Sequence, residues 1–224
     1  MEIKLKYNLY ELNKRYENLS VEDRIKELYK DFNYEEVLLT SSFAANSAFF
    51  LHLFSSVTES KQKVHFIDTT YHFPETLEYK KLLTEKYRLN VVDIRPDEWK
   101  NEFTTKDETW KKNADFCCSV NKVEPLNAIT SNFNVWASGL MRSQNNHRQG
   151  LRIFEEKNGI LRFYPIIDVT PEQRDGYILW HKLNFHPLVK EGYSSIGCKH
   201  CTVKGAGREG RWVGLAKTEC GLHI

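Results

Sequence analysis

The 224-residue sequence has no apolar run approaching the ~20 residues needed to cross a bilayer. Its opening, Met1-Glu2-Ile3-Lys4-Leu5-Lys6, lacks the apolar stretch of a secretory leader. Neither sign of charge is in excess: 32 Lys and Arg against 30 Asp and Glu leave a net charge of +2. That balance argues against a fold built around a basic nucleic-acid-binding face. There is no internal repeat and no low-complexity linker. These absences predict a cytoplasmic globular protein that neither spans a membrane nor binds nucleic acid. Cysteine is scarce and odd in number: Cys117, Cys118, Cys198, Cys201 and Cys220. An odd count in such a chain argues against a disulfide framework.

Helix and strand signals alternate along what is present. Ser20-Val21-Glu22-Asp23 resembles a capping box, and Ile25, Leu28, Tyr29 and Phe32 follow at helical spacing. Val37–Leu39, Val64–Ile67 and Val91–Ile94 are short apolar runs that predict buried strands. Between them lie a helical stretch from Ala48 to about Ser55 and another opened by Pro74, with Tyr79, Leu82, Leu83 and Tyr87 on one stripe. A fourth strand is expected at 134–137, a hairpin around Asn158-Gly159, and a helix from Pro171 to Leu183. Strand–helix–strand alternation implies an α/β fold with parallel strands and crossover helices. One domain is expected, with a nucleotide-binding core over 1–183 and a loop-rich segment over 184–224.

Three stretches carry chemistry. The turn Thr40-Ser41-Ser42-Phe43-Ala44-Ala45-Asn46-Ser47 follows the first strand and opens a helix, a place where backbone N–H groups and serine hydroxyls meet anions. An ordinary serine-rich loop is the plainer reading, and no Walker-type phosphate loop is present. Cys117, Cys118, Cys198 and Cys201 offer four thiolates to zinc or to an iron–sulfur cluster, and spacing alone does not separate the two. In the end segment, Lys217-Thr218-Glu219-Cys220-Gly221-Leu222-His223, a thiol stands close in sequence to a cation and an imidazole, a setting that can hold a thiolate; a frayed end with an incidental cysteine is the plainer reading, and the pattern alone names no reaction. Gly205-Ala206-Gly207-Arg208-Glu209-Gly210 matches a dinucleotide fingerprint only in letters, because the residues that follow are too few to complete a βαβ unit.

Together these stretches resemble the sulfonucleotide reductases of sulfate assimilation over nearly the whole chain. The tail is similar to that family's C-terminal signature. Thr40-Ser41-Ser42-Phe43 resembles its modified PP-loop. Asp68-Thr69 with Phe73-Pro74-Glu75-Thr76, and Gly139-Leu140-Met141-Arg142-Ser143-Gln144 with Arg148, resemble two of its inner segments. Cys117-Cys118, Lys122-Val123-Glu124-Pro125-Leu126 and Gly197-Cys198-Lys199-His200-Cys201-Thr202 are similar to the iron–sulfur branch, as is Arg208-Glu209-Gly210-Arg211-Trp212. Ala44, Thr70, Asn121, Met141 and Ser143 depart from the family pattern.

The resemblance implies an adenine nucleotide α-hydrolase-like fold with a flexible catalytic tail. It implies a [4Fe-4S] cluster on Cys117, Cys118, Cys198 and Cys201. The implied substrate is adenylyl sulfate (APS), with its 3′-phosphorylated form (PAPS) or both as alternatives. Cys220 would attack the sulfate sulfur and expel AMP, and thioredoxin, or a glutaredoxin-like protein, would then release sulfite. Ser41, Ser42, Lys122, Gly139, Arg142, Arg208, Arg211 and His223 are the implied substrate-binding residues, and a homo-oligomer is compatible with this reading. Two readings outside the reductase class are a PP-loop ATP pyrophosphatase with structural zinc and a non-catalytic zinc or nucleic-acid-binding module. The first is weakened by the missing Ser-Gly-Gly-x-Asp-Ser loop, the second by the near-neutral charge.

Overall fold

The computed structural model describes residues 7–223, so the opening segment 1–6 lies outside the described residues. The chain begins with α1 (Leu9–Glu17), capped by the Asn8 side chain, and α2 (Val21–Asp31), capped by Ser20 as its sequence predicts. Then come β1 (Val37–Thr40), α3 (Ser47–Thr58), β2 (Lys63–Ile67), α4 (Pro74–Lys86) and β3 (Asn90–Ile94). Four short helices follow: α5 (Glu98–Lys106), α6 (Thr109–Lys112), α7 (Ala114–Cys118) and α8 (Glu124–Thr130). The rest is β4 (Val135–Ser138), β5 (Phe154–Lys157), β6 (Ile160–Phe163) and α9 (Pro171–Trp180).

The strands form one sheet in the order β3-β2-β1-β4-β6-β5. All neighbours are parallel except β5, which closes the expected hairpin antiparallel to β6. Residues of β1 such as Leu38 and Leu39 are wholly buried, which explains why the strand reads as a continuous apolar run. At the β5 edge Asn13 of α1 takes the part of a strand. Its Nδ2 donates to the Phe154 carbonyl (3.0 Å) and its Oδ1 accepts from the Phe154 N–H (2.9 Å), so the edge is not left open.

Helices α1 and α5–α8 were not read from the sequence. Those after β3 are short and show little apolar periodicity, and they gain order by packing on one another. Between α7 and α8 the chain widens into a π-type turn over Ser119–Val123, in which the Glu124 N–H reaches back to the Ser119 carbonyl. The last helix ends at Trp180 rather than Leu183. Lys182 adopts φ +50° and the Leu183 N–H returns to the Ile178 carbonyl (2.9 Å), so the chain reverses there and buries Leu183.

Beyond α9 the segment is loop-rich, as expected, with short 3₁₀ turns and two isolated bridges, Tyr193 with Gly205 and Thr202 with Arg211. At its start His186 is 1% exposed. Its Nδ1 accepts from the Leu188 N–H (3.2 Å), which leaves Nε2 to donate to the Thr76 hydroxyl (3.1 Å). Burial lowers its pKa from 6.5 to about 4. The unfolded chain therefore binds a proton that the native ring refuses. The contribution is intact above pH 6.5 and is lost as pH falls toward about 4. The slope is at most ~1.4 kcal/mol per pH unit. Urea midpoints at pH 7 and pH 5 are expected to fall less in His186→Gln than in the wild type; equal falls would remove His186 from the acid sensitivity.

Candidate active site

Strand β1 is flanked by β2 on one side and β4 on the other, so a crevice opens between the carboxyl ends of β1 and β4. A cavity of about 450 Å³ lies there, within the usual range for a small-molecule site. Ser41, Ser42, Ala44 and Asn46 line it from the turn that enters α3. The turn's left-handed residue is Phe43 (φ +48°), not Ala44 where the family pattern has glycine. Phe43 holds this conformation because its ring is fully buried, edge-on to Phe66 at 5.6 Å, and its N–H donates to the Ser41 hydroxyl (3.2 Å). Gly139 lines the opposite wall, where a Cβ would stand 3.1 Å from Phe50 Cγ, so a side chain there would need the Phe50 ring to give by a few tenths of an ångström. Thr70, in place of a glycine, takes φ +64° and is tied down through its N–H to Asp68 (3.0 Å) and its hydroxyl to Asn101 (3.1 Å).

The tail enters this cavity. Cys220, Leu222 and His223 line it together with Lys122, Arg148, Arg208 and Arg211. Lys217 pairs with Asp115 of α7 at the stem. Glu219 is gripped by Arg148 (2.7 Å) and Arg208 (3.0 Å). Arg162 donates to the Leu222 carbonyl (3.1 Å), and the His223 ring stacks on Trp136 (5.5 Å, 26°). The Arg208 loop is held by backbone bonds such as Val203 N–H to the Gly210 carbonyl (2.8 Å), and no strand or helix flanks it. Gly197 lets the Arg211 guanidinium lie against the chain, since a Cβ would fall 2.3 Å from Nη2.

The electrostatics favour a sulfur anion. The neighbouring Cys118 sulfur, with Lys122 and Arg211 opposing the cost of burial, lowers the Cys220 pKa well below its ordinary value. The same proximity raises Cys118. Burial opposes the charge on Lys122, but the Cys198, Cys220 and Cys118 sulfurs outweigh it and raise its pKa. Burial also opposes ionisation of Glu219, yet Arg148 and Arg208 bring it down to about 2. His223 falls to about 3, mainly through burial and then through Arg148. Four polar atoms on cavity-lining residues are buried with no hydrogen-bond partner: Ser138 Oγ, Arg208 Nε, Arg211 Nε and His223 Nδ1. Unpartnered guanidinium N–H groups in a pocket suit an anionic ligand.

Cys117, Cys118 and Cys198 are buried and Cys201 is half-buried. Burial first, then the neighbouring Cys198 and Cys201 sulfurs, raises Cys117 to about 11. The Thr69 hydroxyl lies 3.5 Å from the Cys198 sulfur, and Asn121 Nδ2 donates toward the Cys117 sulfur at 3.7 Å. Among the described residues, no three His, Cys, Asp or Glu side chains converge on a point that would hold one metal ion. Cys117, Cys198 and Cys201 pack in one buried group with Tyr71 and Trp110, and four thiols are donors that suit either zinc or an iron–sulfur cluster.

Of the substrate-binding residues expected from the sequence, Ser41, Ser42, Lys122, Gly139, Arg208, Arg211 and His223 line the cavity. Arg142 does not: its Nε donates to the Leu151 carbonyl (3.0 Å), and neither residue lines the cavity. Asn121 and Met141, where the family pattern has arginine, are buried. The Asn121 amide bonds to the Cys117 carbonyl and the Thr104 hydroxyl, and neither Asn121 nor Met141 lines the cavity. Arg148, Arg174, Ser138 and Glu219 were missed as site residues, although Arg148 and Glu219 stand inside the quoted motifs.

The phosphoadenosine phosphosulfate reductase domain matches residues 36–204. An adenosine 5′-phosphosulfate reductase of Bacillus cereus is 35% identical over 87% of this chain and 86% of its own length. One from a Chelativorans species is 37% identical over 96% of this chain and 90% of its own. The crystal structure of phosphoadenylyl-sulfate (PAPS) reductase from Candida auris, a phosphate complex, superposes with a TM-score of 0.76 at 26% identity. It covers 91% of this chain and 100% of that one.

Proposed function

This chain belongs to the phosphoadenosine phosphosulfate reductase family, and on that footing we propose that it reduces adenylyl sulfate to sulfite and AMP with Cys220 as the nucleophile. The observation that carries the proposal is the seating of Cys220 inside the cavity at the ends of β1 and β4, beside Lys122. The Cys220 thiolate forms an S–S bond to the sulfate sulfur while the sulfur–oxygen bond to AMP breaks. The AMP phosphate takes the electron pair of that bond. A dithiol protein of the thioredoxin class then attacks the S-sulfocysteine. Sulfite leaves, and the reductant's second thiol resolves the mixed disulfide and restores Cys220. Both electrons come from the dithiol.

The side chains around the cavity answer the charge problem. A thiolate must approach a polyanion, and Lys122, Arg208 and Arg211 offset the repulsion in a site partly closed to water. Ser41 and Ser42 offer hydroxyls to the nucleotide. Cys117, Cys118, Cys198 and Cys201 are the residues that would hold a [4Fe-4S] cluster, which when bound supplies a fixed charged centre beside Lys122. Near relatives named for adenosine 5′-phosphosulfate favour APS over PAPS. Sulfite release from each nucleotide, with thioredoxin on anaerobically purified protein, is expected to favour APS in kcat/KM by at least ~10-fold. Equal turnover would make the enzyme a dual reductase, and no sulfite from either would remove the assignment.

A further inference from the structure

Glu219 is the residue before the nucleophile, and it is 3% exposed. Arg148 holds it in a fork, Nε to Oε2 at 2.7 Å and Nη2 to Oε1 at 2.9 Å. Arg208 Nη2 adds a bond to Oε1 at 3.0 Å and Asn145 Nδ2 one to Oε2 at 2.9 Å. The Cys220 N–H donates to Oε1 at 2.8 Å. Five donors thus fill a group that has about four lone-pair positions. The socket is local: the Arg148 N–H is capped by the Asn145 side chain (3.0 Å), and Arg148 also pairs with Gln144. Arg148 is itself 5% exposed, and every side-chain bond it makes goes to Glu219 or Gln144.

We propose that Glu219 is the latch of the catalytic tail: its carboxylate, seated in the Arg148 socket, sets where Cys220 stands in the cavity. The proposal rests on the reading of Cys220 as nucleophile. The tail has no regular element of its own to fix the sulfur. A backbone N–H bonded to the latched carboxylate does so one residue away. Arg162 on the Leu222 carbonyl and Trp136 under His223 hold the chain on the other side of Cys220, so Glu219 and these contacts bracket the sulfur. Both Glu219 oxygens are taken up by protein donors, so its part is that of a positioning residue. Arg208 stands between two tasks, because one of its nitrogens is on the latch while its Nε is unpartnered.

The test uses the full chain with its cluster, in single turnover with APS and no reductant. A small displacement of a nucleophile costs about 10²-fold, so Glu219→Gln is expected to slow S-sulfocysteine formation by about that factor. The Kd for AMP is expected to stay within ~3-fold, since the latch does not hold the nucleotide. Iodoacetamide is expected to alkylate Cys220 at least ~10-fold faster in Glu219→Gln than in the wild type, read by mass spectrometry of the tail peptide, because the tail leaves its seat. Glu219→Asp, which keeps the charge, should recover part of both. Arg148→Met should reproduce both effects, and the double variant should fall no further than the weaker single variant if the pair acts as a unit. Wild-type adduct and alkylation rates in Glu219→Gln, or losses that multiply in the double variant, would overturn the latch. A wild-type protein that forms no adduct would instead overturn the nucleophile, while the alkylation comparison would still decide the latch.

Discussion

Cys220→Ser is expected to form no S-sulfo adduct with APS and to lose at least about 10³-fold in sulfite release. The reason lies in the sulfur's surroundings. Lys122 and Arg211 favour the Cys220 anion, and both keep that role when Cys118 is a cluster ligand. A serine hydroxyl in the same place is far less acidic and far less nucleophilic. The fold should be indifferent to the change, since Cys220 is half-buried in the cavity and belongs to no helix or strand. AMP affinity should therefore persist, and its persistence separates a missing nucleophile from a collapsed site. The measurement is the mass of the tail peptide after incubation with APS without reductant. A sulfonate mass shift on any other residue of the variant, with turnover retained, would refute the assignment.

Lys122→Met is expected to slow adduct formation by about 10²–10³-fold, the range found when a single charge-stabilising donor is removed from a transition state. Lys122 is half-buried and lies among the sulfurs of Cys198, Cys220 and Cys118. Its charge acts on two partners: it lowers Cys220, and it offsets the negative charge that accumulates as thiolate and sulfate meet. The second effect appears only as the bond forms, so the rate should fall much more than the affinity for AMP. Lys122→Arg should recover part of the rate. Equal losses in rate and in AMP affinity would place Lys122 in ground-state binding instead.

Much of this site could be read from the sequence, because its parts are local. The strand runs Val37–Leu39 and Val64–Phe66 are buried on both faces, and such runs need no tertiary information to be seen; Val91–Ile94, on the edge strand, buries only its Ile94 end. The tail cysteine and the four-cysteine set carry their chemistry in residue type and spacing. Arg142 shows the limit. Its sequence neighbour Gly139 lines the cavity, but the Leu151 carbonyl claims the Arg142 side chain, and a motif does not say which way a guanidinium turns. Asn121 shows the same from the other side: the departure seemed to remove a cation from the substrate, yet the position faces Cys117 and Thr104.

What the sequence determined by itself was the alternation of strands and helices, the candidate cofactor thiols and the candidate nucleophile near the end of the chain. Hydrophobic periodicity and residue chemistry are properties of short stretches. Only the tertiary structure decided that Cys220 lies beside Lys122, 98 positions earlier, that Arg148 grips Glu219, 71 positions later, and that the donors left over face one cavity. Those facts depend on long-range packing. Charge pairing across a folded crevice follows from where the sheet and its loops place each backbone, and spacing along the chain carries no measure of that.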